Sequence, residues 1–315
     1  MKILITGVHG FVGSNLVNYL AKENEIYGLD IIAPVKDGVV KTYSWDDMDA
    51  GRISEVDAII HLAGKAHDTK NQTVADVYFK VNRDLTIKIF DYFCEHASIK
   101  KFVFFSTAKA AADKVEGVLT EEVVPSPVGP YGESKIAAER YILDKLTDDG
   151  LPLTGKQVYI FRPCMIHGPG NKGNLNLLYN VVRKGIPWPL GAFENRRTFT
   201  SIENICFAVN GVLTKDVPSG IYNMGDDDAL STNELIEEIC KSLGKKSHIW
   251  KLPKGLMNGV AKVGGLLHLP LNPERLRKLT ENYVSSNAKI KKALGVEKMP
   301  VDARDGLKVT LKSFQ

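Results

Sequence analysis

The chain has no apolar run long enough to cross a membrane, no cysteine pair at metal-ligand spacing and no block of like charge. Its longest apolar stretch, Leu256 to Leu271, is broken by Lys262, His268, Pro270 and three glycines, and reads as a packed amphipathic helix. At the start, Met1-Lys2 is followed by only Ile3-Leu4-Ile5 before Thr6-Gly7, too short for the core of a signal peptide. The four cysteines, Cys94, Cys164, Cys206 and Cys240, are scattered, which argues against a disulfide framework and against a metal site. Reduced thiols of this kind fit a cytoplasmic protein. The net charge of +4 arises from 41 basic and 37 acidic residues mixed along the chain, so no basic stripe points to nucleic acid.

What is present is a globular composition. With 315 residues, 44% of them hydrophobic, the chain can bury a sizeable core and build two lobes. The first 164 residues alternate short apolar runs with helical patterns, the mark of an α/β doubly wound parallel sheet. Lys2–Thr6, Ile26–Leu29, Ala58–Leu62, Lys101–Ser106 and Val158–Phe161 read as buried strands. Val77, Val81, Leu85, Ile89 and Phe93 predict one long helix. From residue 165 to 315 the texture shifts to Gly- and Pro-rich loops and then helices, predicting a smaller substrate lobe. Two extended runs, Thr198–Ile202 and Gly220–Met224, are expected to return to the first sheet, so a segment near 197–224 interleaves the lobes. Ser231 and Glu234 have capping-box spacing at the start of the helical tail.

Gly7-Val8-His9-Gly10-Phe11-Val12-Gly13 follows the first strand and opens a helix. In that context the three glycines suit a tight turn, a backbone that approaches a pyrophosphate, and close helix–strand packing. Asp30 ends the second strand, where a carboxylate accepts from ribose hydroxyls and favours NAD over NADP. Lys36 lies close enough to leave the second cofactor open.

Tyr131 and Lys135, spaced i, i+4, put a phenol and an ammonium on one helix face. The spacing alone is weak, because Tyr141 and Lys145 share it. The second pair is rotated by roughly 80°, however, and only Tyr131 follows a Pro-rich loop (Pro125, Pro127, Pro130). Ser106-Thr107 ends the Lys101 strand, at the sheet edge where such folds bind ligands, although a hydroxyl pair there is also a common cap.

With these motifs in place the chain resembles the extended short-chain dehydrogenase/reductase family, in particular the nucleotide-diphosphate-sugar epimerases. The resemblance covers nearly the whole chain. It runs through Gly7–Gly13, Asp30, Asp57-Ala58-Ile59-Ile60-His61-Leu62-Ala63-Gly64, Asn82, Phe104-Phe105-Ser106-Thr107, Tyr131-Gly132-Glu133-Ser134-Lys135, Arg162-Pro163 and Arg197-Thr198-Phe199. It implies a Rossmann-type fold binding NAD through Gly7, Gly10, Phe11, Val12, Gly13, Asp30, Leu62, Ala63, Gly64 and Asn82, with Tyr131 and Lys135. It implies that Thr107 is the catalytic hydroxyl, Tyr131 the general acid/base, and Lys135 the residue that lowers the tyrosine pKa and holds the nicotinamide ribose. A phenol of pKa about 10 needs such help to act as a base at neutral pH. Asn174 and Arg197 match positions that hold the nucleotide diphosphate, with Arg196 the weaker match.

The same resemblance implies a nucleotide-sugar substrate and a homodimer formed through the helices after the strands ending near Leu62 and Ser106. The 4,6-dehydratases of this family place Asp and Glu directly after the catalytic Thr, whereas Ala108 and Lys109 stand here. Cys164 to Arg197, with His167-Gly168-Pro169-Gly170, is similar to a bacterial subgroup acting on UDP-sugars, N-acetylhexosamines of surface polysaccharides among them. That subgroup holds 4-epimerases and 4-keto-sugar reductases. The expectation is thus an NAD-dependent UDP-sugar 4-epimerase, with the reductase, and a non-catalytic dinucleotide sensor, as alternatives. His61 and His67 lack metal-ligand partners at sequence spacing, and Trp188 and Tyr283 suit either a sugar pocket or packing between lobes.

Overall fold

The computed structural model describes residues 1–65, 74–147, 154–267 and 271–315. His67, His268 and Pro270 lie outside the described residues. The N-terminal half runs β1 (Lys2–Thr6), α1 (Phe11–Leu20), β2 (Glu25–Leu29), β3 (Val39–Tyr43), α2 (Trp45–Asp49), β4 (Ala58–His61) and α3 (Ala75–Phe79). A π-helical turn (Lys80–Asp84) leads into α4 (Leu85–Glu95), followed by β5 (Lys101–Phe105), α5 (Ala108–Ala111), β6 (Val118–Leu119), α6 (Pro130–Leu146) and β7 (Gln157–Pro163). The remainder supplies β8 (Met165–His167), α7 (Asn174–Arg183), β9 (Arg197–Ser201), α8 (Ile202–Thr214), β10 (Gly220–Met224), β11 (Ala229–Leu230) and α9 (Thr232–Ser242). The tail adds α10 (Lys254–Leu266), α11 (Pro273–Thr280), β12 (Val284–Ser285), α12 (Ala288–Leu294) and α13 (Ala303–Lys312).

Among the described residues, seven parallel strands form one sheet in the order β10-β7-β5-β4-β1-β2-β3. Both faces are covered, so alternate strand residues enter different cores. Ile3, Ile5, Val103 and Phe105 pack with α1 and α8, whereas Leu4, Phe102 and Phe104 pack with α4 and α6. That double burial is why these strands read as unbroken apolar runs. The sequence order reverses between β1 and β4, the crevice where such sheets bind ligands.

The helix read from Val77 to Phe93 holds a π turn. On an α-helix a repeat of four drifts by roughly 40° per step, and the inward face here is Tyr78, Asn82, Thr86, Ile89 and Phe93 instead. Val77, Val81 and Leu85 are only half-buried. A π turn often marks a functional site, and this one turns Asn82 into the interior.

The two runs expected back in the first sheet part company. Gly220–Met224 pairs with β7 in that sheet, but Arg197–Ser201 joins a separate three-stranded sheet, β11-β9-β8. The place beside β7 is already taken by β10, and the polar residues of β9 are satisfied locally. Thr200 donates to the Met224 carbonyl at 2.9 Å, and Ser201 Oγ bonds Asp226 at 3.0 Å. A further core, with Leu175, Tyr179, Trp188, Phe199, Leu235 and Met257, lies under α7, α9, α10 and the small sheet. α12 returns through Ile290 and Leu294 to the first core, a crossing with no local signal in the sequence.

Candidate active site

The glycine turn is built by contact rather than by composition alone. Gly7 has φ +69°, and its peptide nitrogen donates to Leu29 at 2.9 Å. A methyl group on Gly13 would stand 2.4 Å from the Gly7 carbonyl oxygen, so only glycine lets α1 start this close to β1. Thr6 Oγ1 accepts from the peptide nitrogens of Leu62 and Ala63 at 3.1 and 2.9 Å, tying the ends of β1 and β4 together. Leu62 and Ala63 therefore offer this crevice a wall, not free donors. Phe11 stands against Gly168 and Gly170, whose loop is held to α1 by the Asn15 amide donating to the Pro169 carbonyl at 3.1 Å.

Asp30 accepts from the His9 and Ile31 peptide nitrogens at 3.1 and 2.8 Å, which aims the carboxylate across the mouth of the turn. Lys36 Nζ is engaged by the Ser14 hydroxyl at 2.9 Å. A bare helix start (Gly10–Val12), a glycine cradle that a Cβ would fill and a carboxylate at the end of β2 fit a dinucleotide. Asn82 is buried beside Gly64 at this space. Its amide donates to Ser134 Oγ and the Lys65 carbonyl, and its oxygen accepts from the Lys65 nitrogen at 2.7 Å.

Thr107, Tyr131 and Lys135 meet at the carboxyl ends of β4 and β5. Gly129, with φ +86°, and Pro130 start α6 so that Tyr131 falls in its first turn. The Thr107 hydroxyl bonds the Tyr131 phenol, and the Tyr78 ring meets Tyr131 edge-on at 6.3 Å. Thr107 also caps α5, accepting from the Lys109 nitrogen at 3.3 Å, so the cap and the site are one residue. Lys135 Nζ donates to the Phe105 carbonyl at 2.8 Å and stands 3.1 Å from where a Gly64 methyl would be.

The surroundings of Tyr131 and Lys135 act on both groups. Burial pushes the Tyr131 phenol above its ordinary value, and the Thr107 hydroxyl bonded to it opposes this. Burial pushes Lys135 itself down to about 8, against the opposing charge of Glu139. Between that value and the ordinary 10.5, an unfolded chain holds a proton here that the folded chain has lost, so this residue's contribution to stability rises with pH. The stability difference between wild type and Lys135→Met should therefore shift in favour of wild type, by on the order of 3 kcal/mol, across that window. Urea unfolding of cofactor-free protein at both ends measures it; a constant difference counts against a buried, depressed Lys135.

Beneath the lysine lies a network that sequence reading missed. Glu139, fully buried, accepts from Ser106 Oγ and from Arg162 Nε at 3.0 Å. Ser106 is thus turned into the protein, and Thr107 alone of the pair faces Tyr131. Spacing held the signal, since Tyr131, Lys135 and Glu139 follow each other at intervals of four on one helix face. His61 is a packed, neutral residue, held between Thr6 and Thr86 at 2.7 and 2.9 Å with its pKa well below the usual value through burial.

On the substrate side, burial and neighbours single out Arg197, which donates to the Lys278 carbonyl and lies near Glu281, Cys164 and Tyr283. Arg196 points outward to Glu234 at 3.0 Å. Asn174 is exposed at the first position of α7. Three residues before it, Asn171 is buried, and its amide nitrogen has no protein partner among the described residues. Lys109 bonds Asp113 at 3.0 Å and stands 4.7 Å over the Tyr283 ring, while Tyr283 packs under α5 and donates to the Ala112 carbonyl. Trp188 is buried in the core below α7. Burial raises the Cys164 thiol to about 12, which leaves it unreactive as a nucleophile.

The NAD dependent epimerase/dehydratase family matches residues 3–225. The UDP-glucose 4-epimerase of Vibrio cholerae is 29% identical over 276 residues, 80% of this chain and 78% of that protein. An N-acetyl-alpha-D-glucosaminyl-diphospho-ditrans,octacis-undecaprenol 4-epimerase of Escherichia coli O157:H7 is 27% identical over 303 residues, 92% of this chain and 85% of that one. The crystal structure of UDP-glucuronic acid 4-epimerase from Bacillus cereus in complex with NAD shares the fold. Its TM-score is 0.75 at 20% identity, covering 100% of this chain and 98% of the other.

Proposed function

Because the chain belongs to the NAD-dependent epimerase/dehydratase family, we propose that it is a 4-epimerase of a UDP-sugar, of the glucose/galactose pair or its N-acetylhexosamine counterpart. The observation that carries this reading is the Thr107–Tyr131 hydrogen bond with Lys135 buried beside Gly64 at the sheet's carboxyl edge. Gly7 to Gly13, Asp30 and the Leu62–Gly64 wall would hold NAD, and Lys135 would hold its nicotinamide ribose. When bound, NAD supplies the hydride acceptor and donor at the sugar's C4.

The chain's own residues handle the proton and the sugar. Tyr131 takes the proton of the C4 hydroxyl and returns it when the 4-keto sugar is reduced on its other face. Thr107 hydrogen-bonds the phenolate oxygen, favouring the form that accepts the proton. Arg197 and Asn174 would hold the diphosphate, leaving the sugar free to turn. Elimination of water is disfavoured because the two positions after Thr107 carry no carboxylate. Ala108 is buried, and the Lys109 ammonium is engaged by Asp113.

Purified protein is expected to release NAD on denaturation and, with no added nicotinamide nucleotide, to convert UDP-N-acetylglucosamine to UDP-N-acetylgalactosamine. If it carries no cofactor and converts neither this substrate nor UDP-glucose, the epimerase reading is wrong. The assay would then turn to reduction of a UDP-4-keto-6-deoxy-N-acetylhexosamine by NADH or NADPH.

A further inference from the structure

Helix α10 is apolar on two faces and packs with only one. Met257, Ala261 and Gly264 face the protein. Leu256, Val260, Val263 and Leu267 lie within an arc of roughly 60° on the neighbouring face, and they are 54%, 47%, 56% and 61% exposed. A helix that is hydrophobic beyond its packed stripe ordinarily has that surface covered. Trp250, just upstream, is also 54% exposed.

Along the sequence, the charge of this segment has one sign, and the glutamate that follows it, Glu274 on the neighbouring α11, is paired with Lys278 at 2.6 Å. From Ile239 to Pro273 the sequence contains no Asp or Glu but six lysines. Lys251, Lys254 and Lys262, in and next to α10, are exposed, as are Lys245 and Lys246 on the preceding loop. The chain elsewhere mixes its charges, so this segment is exceptional in both respects. An apolar stripe, an exposed tryptophan and a lysine-rich segment that itself carries no carboxylate form the pattern of a helix that lies in a membrane interface. No helix among the described residues is long and apolar enough to cross a membrane, so the contact is with one surface.

We propose that α10 and the Trp250 loop dock this protein on an anionic lipid bilayer, with the Leu256–Leu267 stripe entering the headgroup layer and the lysines meeting lipid phosphates. A second copy of the chain is the competing occupant, but the lysine fringe would place like charges on both partners of a symmetric contact. The docking is independent of which sugar is turned over.

The test is co-sedimentation with vesicles of equal parts phosphatidylglycerol and phosphatidylcholine, against phosphatidylcholine alone. Wild type should bind the anionic vesicles, with binding lowered about tenfold or more by Leu256→Glu/Val263→Glu, by Lys254→Glu/Lys262→Glu, or by high salt. These side chains are exposed, so the melting temperature and native mass should not change; two separate variants guard against one that misfolds. Wild type remaining in the supernatant with anionic vesicles overturns the proposal. So does a fall in native mass in the Leu256→Glu/Val263→Glu variant, which would assign the stripe to a second copy.

Discussion

Replacing Tyr131 by Phe should lower turnover by about 10²–10⁴-fold while leaving NAD content and melting temperature near wild type. The phenol oxygen is the group placed to exchange the C4 proton, and its hydrogen-bond partner is the Thr107 hydroxyl. The phenylalanine ring keeps the edge-on contact with Tyr78 and the fill of the crevice, so packing is retained. Steady-state kinetics together with the cofactor released on denaturation separate chemistry from binding. Turnover within a few fold of wild type would remove Tyr131 from the mechanism and favour a protein that only senses the dinucleotide. Loss of NAD along with activity would show instead that the hydroxyl serves binding.

The largest expected effect on stability lies beneath the site. Removing the carboxylate by Glu139→Leu should cost about 3–5 kcal/mol, because it strands the Arg162 guanidinium in the interior. Both side chains are almost wholly buried, at 0% and 2% exposure, and Arg162 Nη1 already lacks a partner among the described residues. The double variant Glu139→Leu/Arg162→Met removes both charges and should recover much of that loss, a non-additivity that urea unfolding can read directly. If the single variant costs no more than the double, the pair is not coupled as the geometry shows. Glu139→Leu should also disturb Lys135, one turn away on the same helix, so that its activity loss exceeds what the remaining stability explains.

Much of the cofactor side was legible in the chain itself. The buried strands declared themselves because burial on both faces demands continuous apolar runs, and the glycine spacing declared the turn because a methyl group at Gly13 has nowhere to go. β3 escaped notice because it is an edge strand with Val40 61% exposed, too mixed to stand out from a loop. The Pro-rich loop before Tyr131 is what separates it from Tyr141 in the sequence, and in the structure Tyr131 bonds Thr107. The Tyr141 hydroxyl donates to Asp91 on α4, far from any role suggested by its matching lysine.

Local pattern determined the strand and helix identities, the glycine turn and the Tyr131–Lys135 face, since each depends on residues a few positions apart. Only the tertiary structure decided that Ser106 turns inward to Glu139 while Thr107 meets Tyr131, that Lys135 bonds the end of β5, and that β9 leaves the main sheet although β10 joins it. Those outcomes rest on partners that lie from about two dozen to about sixty residues away in sequence, and no local periodicity records which buried polar groups will satisfy one another.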